Sequence, residues 1–180
     1  MYWQSNIFGN FLFSSKTEKK SQIQFIKSFL FILLLFIGLS YAFISGTGTL
    51  ADPYLIYNCT DLQNMTYNLG ANYSLATDVD CNENPFNSGA GFKPVGNNSN
   101  RFTGSFNGNS NTISNLYINR SSENYVGLFG WTIGSNITNV GLLNVNINGN
   151  VGVGGLVGYS NSSSVDNSYS TGSVNGNNSV

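Results

Sequence analysis

Val126-Gly127-Leu128-Phe129-Gly130 and, at an offset of 28 between their first glycines, Gly155-Leu156-Val157-Gly158 open two copies of one sequence pattern. Each opening leads through a small polar stretch to a second apolar stretch, and each copy closes on an Asn-Gly pair. These pairs begin at Asn148 and Asn175, an offset of 27. Repeats of this length are typical of chains that stack short structural units on one another.

The strands inside each copy are too short for an ordinary sandwich. Apart from a shift at Leu143, Leu142, Val145 and Ile147 face one side of a predicted strand, and Asn144, Asn146 and Asn148 face the other. Such strands bury their apolar side when successive units stack as parallel strands about 4.8 Å apart. Glycines permit tight corners and positive φ, while stacked asparagines hydrogen-bond between units. The sequence therefore predicts an all-β, right-handed parallel β-helix, a solenoid. A β-propeller is the main rival, but its blades need about 40 residues each.

A divergent unit precedes the two copies. Ile113 to Leu116 matches Ile137 to Val140 at an offset of 24, and Phe106 matches Phe129 at an offset of 23. This alignment predicts about three units within residues 101–180. Residues 43–100 are then expected to form the N-terminal cap and the first strands.

A short amphipathic helix is predicted within that cap. The stretch Thr60–Gln63 has the spacing of a capping box, in which the Thr hydroxyl and the Gln amide satisfy backbone donors. Leu62, Met65 and Leu69 then share one apolar face, and Gly70 ends the helix. Because a stack of coils exposes its core at its end, we expect this helix to cover it.

The N-terminal leader, residues 1–42, has the features of an export signal. Phe29 to Ile44 is a run of sixteen apolar or small residues without a charge, and four lysines precede it. Small residues at Ser40 and Ala42 predict cleavage by signal peptidase after Ala42. An uncleaved membrane anchor is the alternative. Both alternatives place the chain after Ser45 outside the cell or on its surface.

Cys59 and Cys81 are the only cysteines, and both follow the signal. A pair in an oxidising compartment predicts a disulfide that closes a loop of about 22 residues. A metal or reactive thiol pair is disfavoured, because the chain has no histidine and no third cysteine. Export also makes the Asn-X-Ser/Thr sequons possible N-glycosylation sites. The sequons begin at Asn58, Asn64, Asn72, Asn97, Asn119, Asn136, Asn161 and Asn177.

Charge and composition exclude several classes of partner. Charged residues make up 8% of the chain, and beyond Leu50 seven acids and three bases leave a net charge of −4. Nothing in this balance would hold a phosphate backbone, so nucleic acid is not an expected partner. The absence of histidine removes the commonest general base and metal ligand.

Candidate chemistry is sparse. Asp78 to Asn84 alternates acids and amides as a calcium loop does, but it lacks the turn glycine and the final glutamate, so a solvated turn is expected. No cofactor, metal or catalytic residue is predicted: Glu123 and Asp166 lie on different units, and Arg101 and Arg120 are expected as lone cations on turns. Four aromatic residues either stack on sugar rings or pack along the outer face. They are Tyr117, Trp131, Tyr159 and Tyr169.

At its repeated openings the chain resembles the GLUG-repeat proteins, named for a Gly-Leu-hydrophobic-Gly signature. The approach to the repeats resembles that family too, including Asp52-Pro53-Tyr54-Leu55-Ile56 and Phe102-Thr103-Gly104-Ser105-Phe106-Asn107-Gly108. The signature itself is carried by Gly127, Leu128, Phe129, Gly130, Gly155, Leu156, Val157 and Gly158.

This resemblance implies an exported, adhesin-like surface protein, usually without enzymatic activity. Its expected partners are a host, neighbouring-cell or matrix surface, with glycans among the ligands, and further repeats of the same chain. Because family members usually carry more repeats, we expect the N-terminal part of a longer protein. Two alternatives remain open: the beginning of a β-helix polysaccharide lyase or hydrolase with its catalytic coils beyond residue 180, and a purely structural surface-layer component.

Overall fold

A computed structural model describes residues 45–177, in which short strands alternate with turns and bends. The strands are, in chain order, β1 (Tyr54–Ile56), β2 (Tyr73–Leu75), β3 (Val79–Asp80), β4 (Ser105–Asn107), β5 (Thr112–Ser114), β6 (Tyr117–Asn119), β7 (Phe129–Ile133), β8 (Asn136–Thr138), β9 (Gly141–Asn148), β10 (Val157–Asn161), β11 (Ser164–Asp166) and β12 (Tyr169–Asn175). Helix is confined to α1 (Cys59–Asn64) and a 3₁₀ turn at Met65–Tyr67 within this part of the chain. The predicted all-β class is confirmed.

The strands form three sheets, and all pairings between named strands are parallel. Sheet A has the order β1-β2-β4-β8-β11, sheet B has β3-β5-β9-β12 with β6 also beside β9, and sheet C has β7-β10. From β7 onward the chain visits sheets C, A and B in turn, and then repeats the same circuit. Each circuit therefore adds one strand to every sheet, which lets short strands bury their apolar side.

The spacing of the two copies matches the strand register. Phe129 pairs with Val157 and Gly141 with Tyr169, each at an offset of 28. Beyond a register shift between Ser170 and Gly172 the offset is 27, so that Asn148 pairs with Asn175. The change from 28 to 27 in the sequence pattern is thus an irregularity in one strand pair of sheet B.

The predicted alignment of the divergent unit is wrong. Ile113 pairs with Leu142 at an offset of 29, and Phe106 pairs with Ile137 at an offset of 31. The matched stretches are alike because Asn115 and Asn139 both end a short strand with positive φ, 57° and 56°. They mark the same kind of corner on different sheets, so matching them displaces the alignment.

Large aromatic side chains fill the space between the sheets. Phe102, Phe106 and Phe129 are fully buried, with ring centroids 4.8 Å apart for Phe102–Phe129 and 5.4 Å for Phe106–Phe129. Tyr73 extends the row toward β1, and its hydroxyl donates to Asn68 O at 2.6 Å. Aliphatic residues of the strands complete this core, which includes the buried Leu142 and its neighbours.

The helix α1 begins near its predicted start, but it ends at Asn64 and gives way to the 3₁₀ turn Met65–Tyr67 before the predicted end at Gly70, and its N-cap differs. Asn58 is the cap, and its Oδ1 accepts from Asp61 N at 2.8 Å. Gln63 does not complete a capping box, because its amide exchanges two hydrogen bonds with the backbone of Lys93. Asn58 prevails over Thr60 because it has the extended backbone that a cap needs, with φ −152° and ψ 175°. Leu62 and Met65 are fully buried, as the apolar face predicts.

The predicted disulfide is present between Cys59 and Cys81, whose Cα atoms are 5.2 Å apart. Both residues are fully buried. Cys59 begins α1 and Cys81 directly follows β3, so the bond fastens the helix to sheet B.

The leader Phe29 to Ile44 and the cleavage site after Ala42 lie outside the described residues. Between residues 45 and 177 there is no helix of the length and apolar character that a membrane crossing requires.

Candidate functional site

An aromatic cluster projects from sheet C. Trp131 of β7 pairs in register with Tyr159 of β10, and their rings are 4.4 Å apart between centroids. Tyr125 adds a third ring, 4.7 Å from Trp131 and 5.2 Å from Tyr159, in edge-to-face contact with both. Tyr159 is 41% exposed. We call Arg101, Tyr125, Trp131 and Tyr159 the aromatic cluster, because Arg101 packs on it as described below.

Tyr125 was not singled out in the sequence. It has φ of +60° and lies beside Gly152, which has φ of +63°. Its backbone N–H donates to Val151 O at 2.7 Å. One feature of the sequence indicates this position. A glycine occupies the corresponding corner of the next circuit, and glycine is common where the backbone turns with positive φ.

Arg101 supplies the charge of the cluster. Phe102 N donates to Trp131 O at 2.9 Å, and this places Arg101 with its guanidinium carbon 5.2 Å from the centre of the Trp131 ring. That geometry is a cation–π contact. Within residues 45–177 no acidic side chain forms an ion pair with Arg101.

The second arginine is not a lone cation, contrary to the prediction. Arg120 Nη1 lies 2.8 Å from Glu123 Oε1, and Arg120 Nε donates to Phe92 O. The turn that follows β6 brings the two side chains together at a separation of three residues. The sequence pattern predicts strands but not this turn, so it does not reveal the pair.

The indole of Trp131 contains an unsatisfied donor. Trp131 Nε1 is buried and makes no hydrogen bond to any described residue. Leaving a buried donor without a partner costs about 1–3 kcal/mol.

The other two aromatic candidates lie apart from the cluster. Tyr117 packs against Gly91, and its hydroxyl is 3.4 Å from Gly89 O. Tyr169 of β12 lies over Gly141 of β9 and is 53% exposed. The structure thus brings together two of the four predicted side chains, Trp131 and Tyr159.

The signature glycines permit close packing of backbones. None of the four signature glycines has positive φ, whereas glycines outside the signature, such as Gly134 and Gly152, have it as expected. A Cβ on Gly130 would lie 2.8 Å from Tyr125 O and against Gly96 O. A Cβ on Gly158 would lie 2.6 Å from Val126 N. These glycines let neighbouring circuits approach directly beneath the aromatic cluster.

Asparagine amides join successive circuits, as expected. Asn139 Nδ2 donates to Asn107 Oδ1 at 3.1 Å, and Asn167 Nδ2 donates to Asn139 Oδ1 at 3.4 Å. A second ladder joins Asn150 to Asn124 at 2.8 Å. Because these amides satisfy one another, the outer surface needs few charges.

The acids of the Asp78 to Asn84 stretch also form hydrogen bonds between successive circuits. Asp78 Oδ1 accepts from Thr112 N at 2.7 Å, and Asp80 Oδ1 accepts from Asn115 Nδ2 at 2.8 Å. The Asn115 amide, helped by the Asn82 N–H, holds the pKa of Asp80 below its usual value. Both carboxylates thus fasten β3 to the next strand of sheet B. No set of three potential metal ligands gathers anywhere in residues 45–177.

The sequons differ in what their side chains contact. Asn72 is least suited to carry a sugar, because its Nδ2 donates to Gly48 O and its Oδ1 accepts from Ser105. Asn177 Nδ2 donates to Asn150 Oδ1 at 2.9 Å. Asn64 is half-buried on α1. The remaining sequon asparagines are exposed and use only Oδ1 in their hydrogen bonds. These are Asn58, Asn97, Asn119, Asn136 and Asn161.

Sequence comparison relates the chain to two large proteins. It is 42% identical over 141 residues to halomucin of Haloquadratum walsbyi, in an alignment that covers 73% of this chain and 2% of halomucin. It is 42% identical over 99 residues to a protein of Evansella cellulosilytica provisionally described as a Gly-rich membrane protein, covering 54% of this chain and 11% of that one. The chain thus spans a small part of these relatives' length. No family model matches it.

Structure comparison relates the fold to a crystal structure from Bacteroides ovatus. That protein is provisionally described as an immunoglobulin A1 protease. The TM-score is 0.55 at 22% identity, and the match covers 73% of this chain and 51% of that chain. At this identity the similarity concerns the fold alone.

Proposed function

We propose that this chain is part of an exported cell-surface protein of the GLUG-repeat type. It is a segment of a right-handed parallel β-helix that makes contacts and catalyses no reaction. Its partners are the surface of a host or neighbouring cell, or the matrix between cells. Further repeats of a longer chain continue the stack.

The sheet topology supports the finer description of the fold. From β7 onward each circuit gives one strand to each of three parallel sheets, at offsets near 28. Inward aromatic rings and outward asparagine ladders recur from circuit to circuit. Both are what a solenoid of short coils requires. The far-UV circular dichroism spectrum of the full chain is expected to be dominated by the strands that follow the leader. A mainly helical spectrum would contradict this fold.

The aromatic cluster is the observation that carries the contact role. Its rings project from sheet C, and it contains an exposed tyrosine and a guanidinium with no ionic partner in the described chain. Exposed aromatic groups and arginine are typical of contact surfaces. The names of these two relatives, halomucin and a Gly-rich membrane protein, agree with a location at the cell surface.

Surface display is tested on intact cells that express the full chain with a C-terminal epitope tag. We expect an antibody to label the tag without lysis, and added protease to remove that signal. A cytoplasmic protein with the same tag is the control and should be labelled only after lysis. A tag on this chain that is likewise accessible only after lysis would disprove export.

The contact role is tested with the same cells. Cells that display the chain should adhere to a glycan-coated or cell-coated surface more than cells that display a chain with Trp131→Ala and Tyr159→Val. Equal adhesion by the two would show that the aromatic cluster has no contact role.

A further inference from the structure

We propose that the aromatic cluster is a binding site for an acidic glycan, in which Tyr159 stacks on a sugar ring and Arg101 pairs with a uronate carboxylate. This inference rests on the proposed contact role and deepens it by naming the ligand class. The proposed ligand is a sugar chain that is neutral apart from single carboxylates, and the site binds one of these carboxylates.

The rings give the site its preference for sugars. A pyranose presents an apolar face of C–H groups and a rim of hydroxyls, so it matches a surface that combines aromatic faces with polar tips. Tyr159 is 41% exposed and approaches its cluster neighbours from the side of the next circuit. The hydroxyls of Tyr125 and Tyr159 form no hydrogen bond with other described residues, and they can donate to sugar oxygens.

The guanidinium gives the site its preference for a carboxylate. The described part of the chain has three cations: Lys93, Arg101 and Arg120. Arg120 is occupied by Glu123, whereas Arg101 packs on Trp131 and has no acidic partner in residues 45–177. A guanidinium held by an aromatic face is pre-organised to bind a carboxylate through two parallel hydrogen bonds.

The charge of the surroundings limits the ligand further. The chain beyond Leu50 has a net charge of −4, so a densely charged polyanion would be repelled rather than attracted. The four residues before Arg101 are asparagines and a serine, with no acid among them. A single uronate beside neutral rings is compatible with this setting, whereas a nucleic acid or polyphosphate is not.

The spacing of the strands fits an extended sugar chain. Trp131 and Tyr159 pair on adjacent parallel strands, which lie about 4.8 Å apart, and Arg101 precedes Phe102, which forms an isolated parallel bridge with Thr132 on the other side of β7. One pyranose of an extended chain occupies a similar rise. A glycan that runs along the stack can therefore place one ring at Tyr159 and a neighbouring carboxylate near Arg101.

The test follows Trp131 fluorescence in the purified full chain. The chain has two tryptophans, so Trp3→Phe leaves Trp131 as the single emitter. The probes are a sugar hexamer made of five neutral residues and one glucuronic acid, and the methyl ester of that hexamer, which keeps the rings and removes the charge. We expect saturable binding of the acid, and binding of the ester about tenfold weaker, because a hydrogen bond to a charged group is lost.

Matched variants separate charge from stacking. Arg101→Gln should lower affinity for the acid to that for the ester, whereas Lys93→Gln, at another exposed cation, should change neither. Tyr159→Val should weaken both probes, whereas Tyr169→Val, at another exposed strand tyrosine, should change neither. Circular dichroism should be the same for all variants.

Three results would overturn the inference: no binding of either hexamer, equal binding of acid and ester, or equal effects of Arg101→Gln and Lys93→Gln. None of these results would contradict surface display, because the antibody test detects where the tag is located whether or not a ligand binds. A chain that binds the acid but stays inside the cell would instead refute the proposed function.

Discussion

Gly130 shows at a single position what the repeated glycines do. A Cβ added to it would collide with Gly96 O and Tyr125 O, in backbone that is not left-handed. Glycine is required there because a Cβ does not fit, and not because the backbone has positive φ. Positive φ occurs in the described residues at eight glycines outside the signature and at five asparagines, and asparagines such as Asn139 and Asn167 supply ladder amides as well.

We predict that Gly130→Ala lowers the free energy of unfolding by about 1–3 kcal/mol, because the added Cβ collides with backbone that cannot give way. Gly70→Ala is the matched control. Its Cβ would meet only Thr103 Oγ1 at 3.7 Å, so the change should be near neutral. Urea denaturation of both variants measures the difference, and equal midpoints would contradict the close-packing account.

We predict that acidification weakens the fold partly through Asp80. The pKa of Asp80 is lowered from 3.8 by hydrogen bonds, first from Asn115 and then from Asn82. A lowered folded-state pKa contributes stability above the unfolded value, and this contribution disappears as the pH falls through the folded one. Urea midpoints of wild type and Asp80→Asn should therefore converge below about pH 4. Curves that remain parallel down to the most acidic pH at which the protein stays folded would exclude this role.

The residues of the candidate site were only partly predictable. Trp131 and Tyr159 were recognised as outward aromatics because alternation along a strand reveals which side chains face out. Tyr125 and Arg101 lie on turns, where alternation fails and position depends on the neighbouring circuit. The Arg120–Glu123 ion pair was missed for the same reason.

At the scale of elements, α1 is defined by its flanking contacts more than by its own length. Six residues are too few for a stable isolated helix. The disulfide at its first residue, the cap at Asn58 and the Gln63 amide on Lys93 hold it in place. The apolar face was visible in the sequence. The cap was not, because Asn58 and Thr60 are both good capping residues and their backbone conformation decides between them.

We predict that Asn58→Ala destabilises the protein by about 1 kcal/mol, because Asp61 N loses its acceptor. Thr60→Ala should have little effect, since Thr60 is exposed within the first turn. Both substitutions remove the same sequon, so any contribution of a glycan cancels between them. Thermal unfolding of both variants under identical conditions measures the loss of stability. A larger loss for Thr60→Ala than for Asn58→Ala would support the capping box expected from the sequence.

At the scale of the whole molecule, the fold class and the period were both readable from the sequence. The offsets of 28 and 27 agree with the strand pairs of the last two circuits. The earlier circuits were misaligned, because the offset in sheet A lengthens to 31 between β4 and β8 and to 33 between β2 and β4. The additional chain lies in loops without a pattern. A local motif such as Ile-Ser-Asn identifies a corner but not the sheet to which it belongs.

We predict that hydrogen exchange is uneven along the stack. β9 pairs with β5 and β6 on one side and β12 on the other, and its Leu142 and Ile147 are fully buried. In the last circuit Val165 and Tyr169 are 45% and 53% exposed. Amides of residues 164–175 should exchange at least about tenfold faster than those of residues 141–148. Uniform protection by mass spectrometry would show that the chain unfolds as one cooperative unit.

The parallel circuits have a mechanical consequence. One circuit occupies the height of one strand, about 4.8 Å, yet the same length of chain reaches about 90 Å when drawn straight. Under a pull along the stack, detachment of one circuit therefore lengthens the chain many times over and leaves the circuit behind it paired. The disulfide between Cys59 and Cys81 prevents the segment between these residues from extending. Under such a pull these circuits are therefore expected to yield one at a time, while the disulfide-closed segment keeps its length.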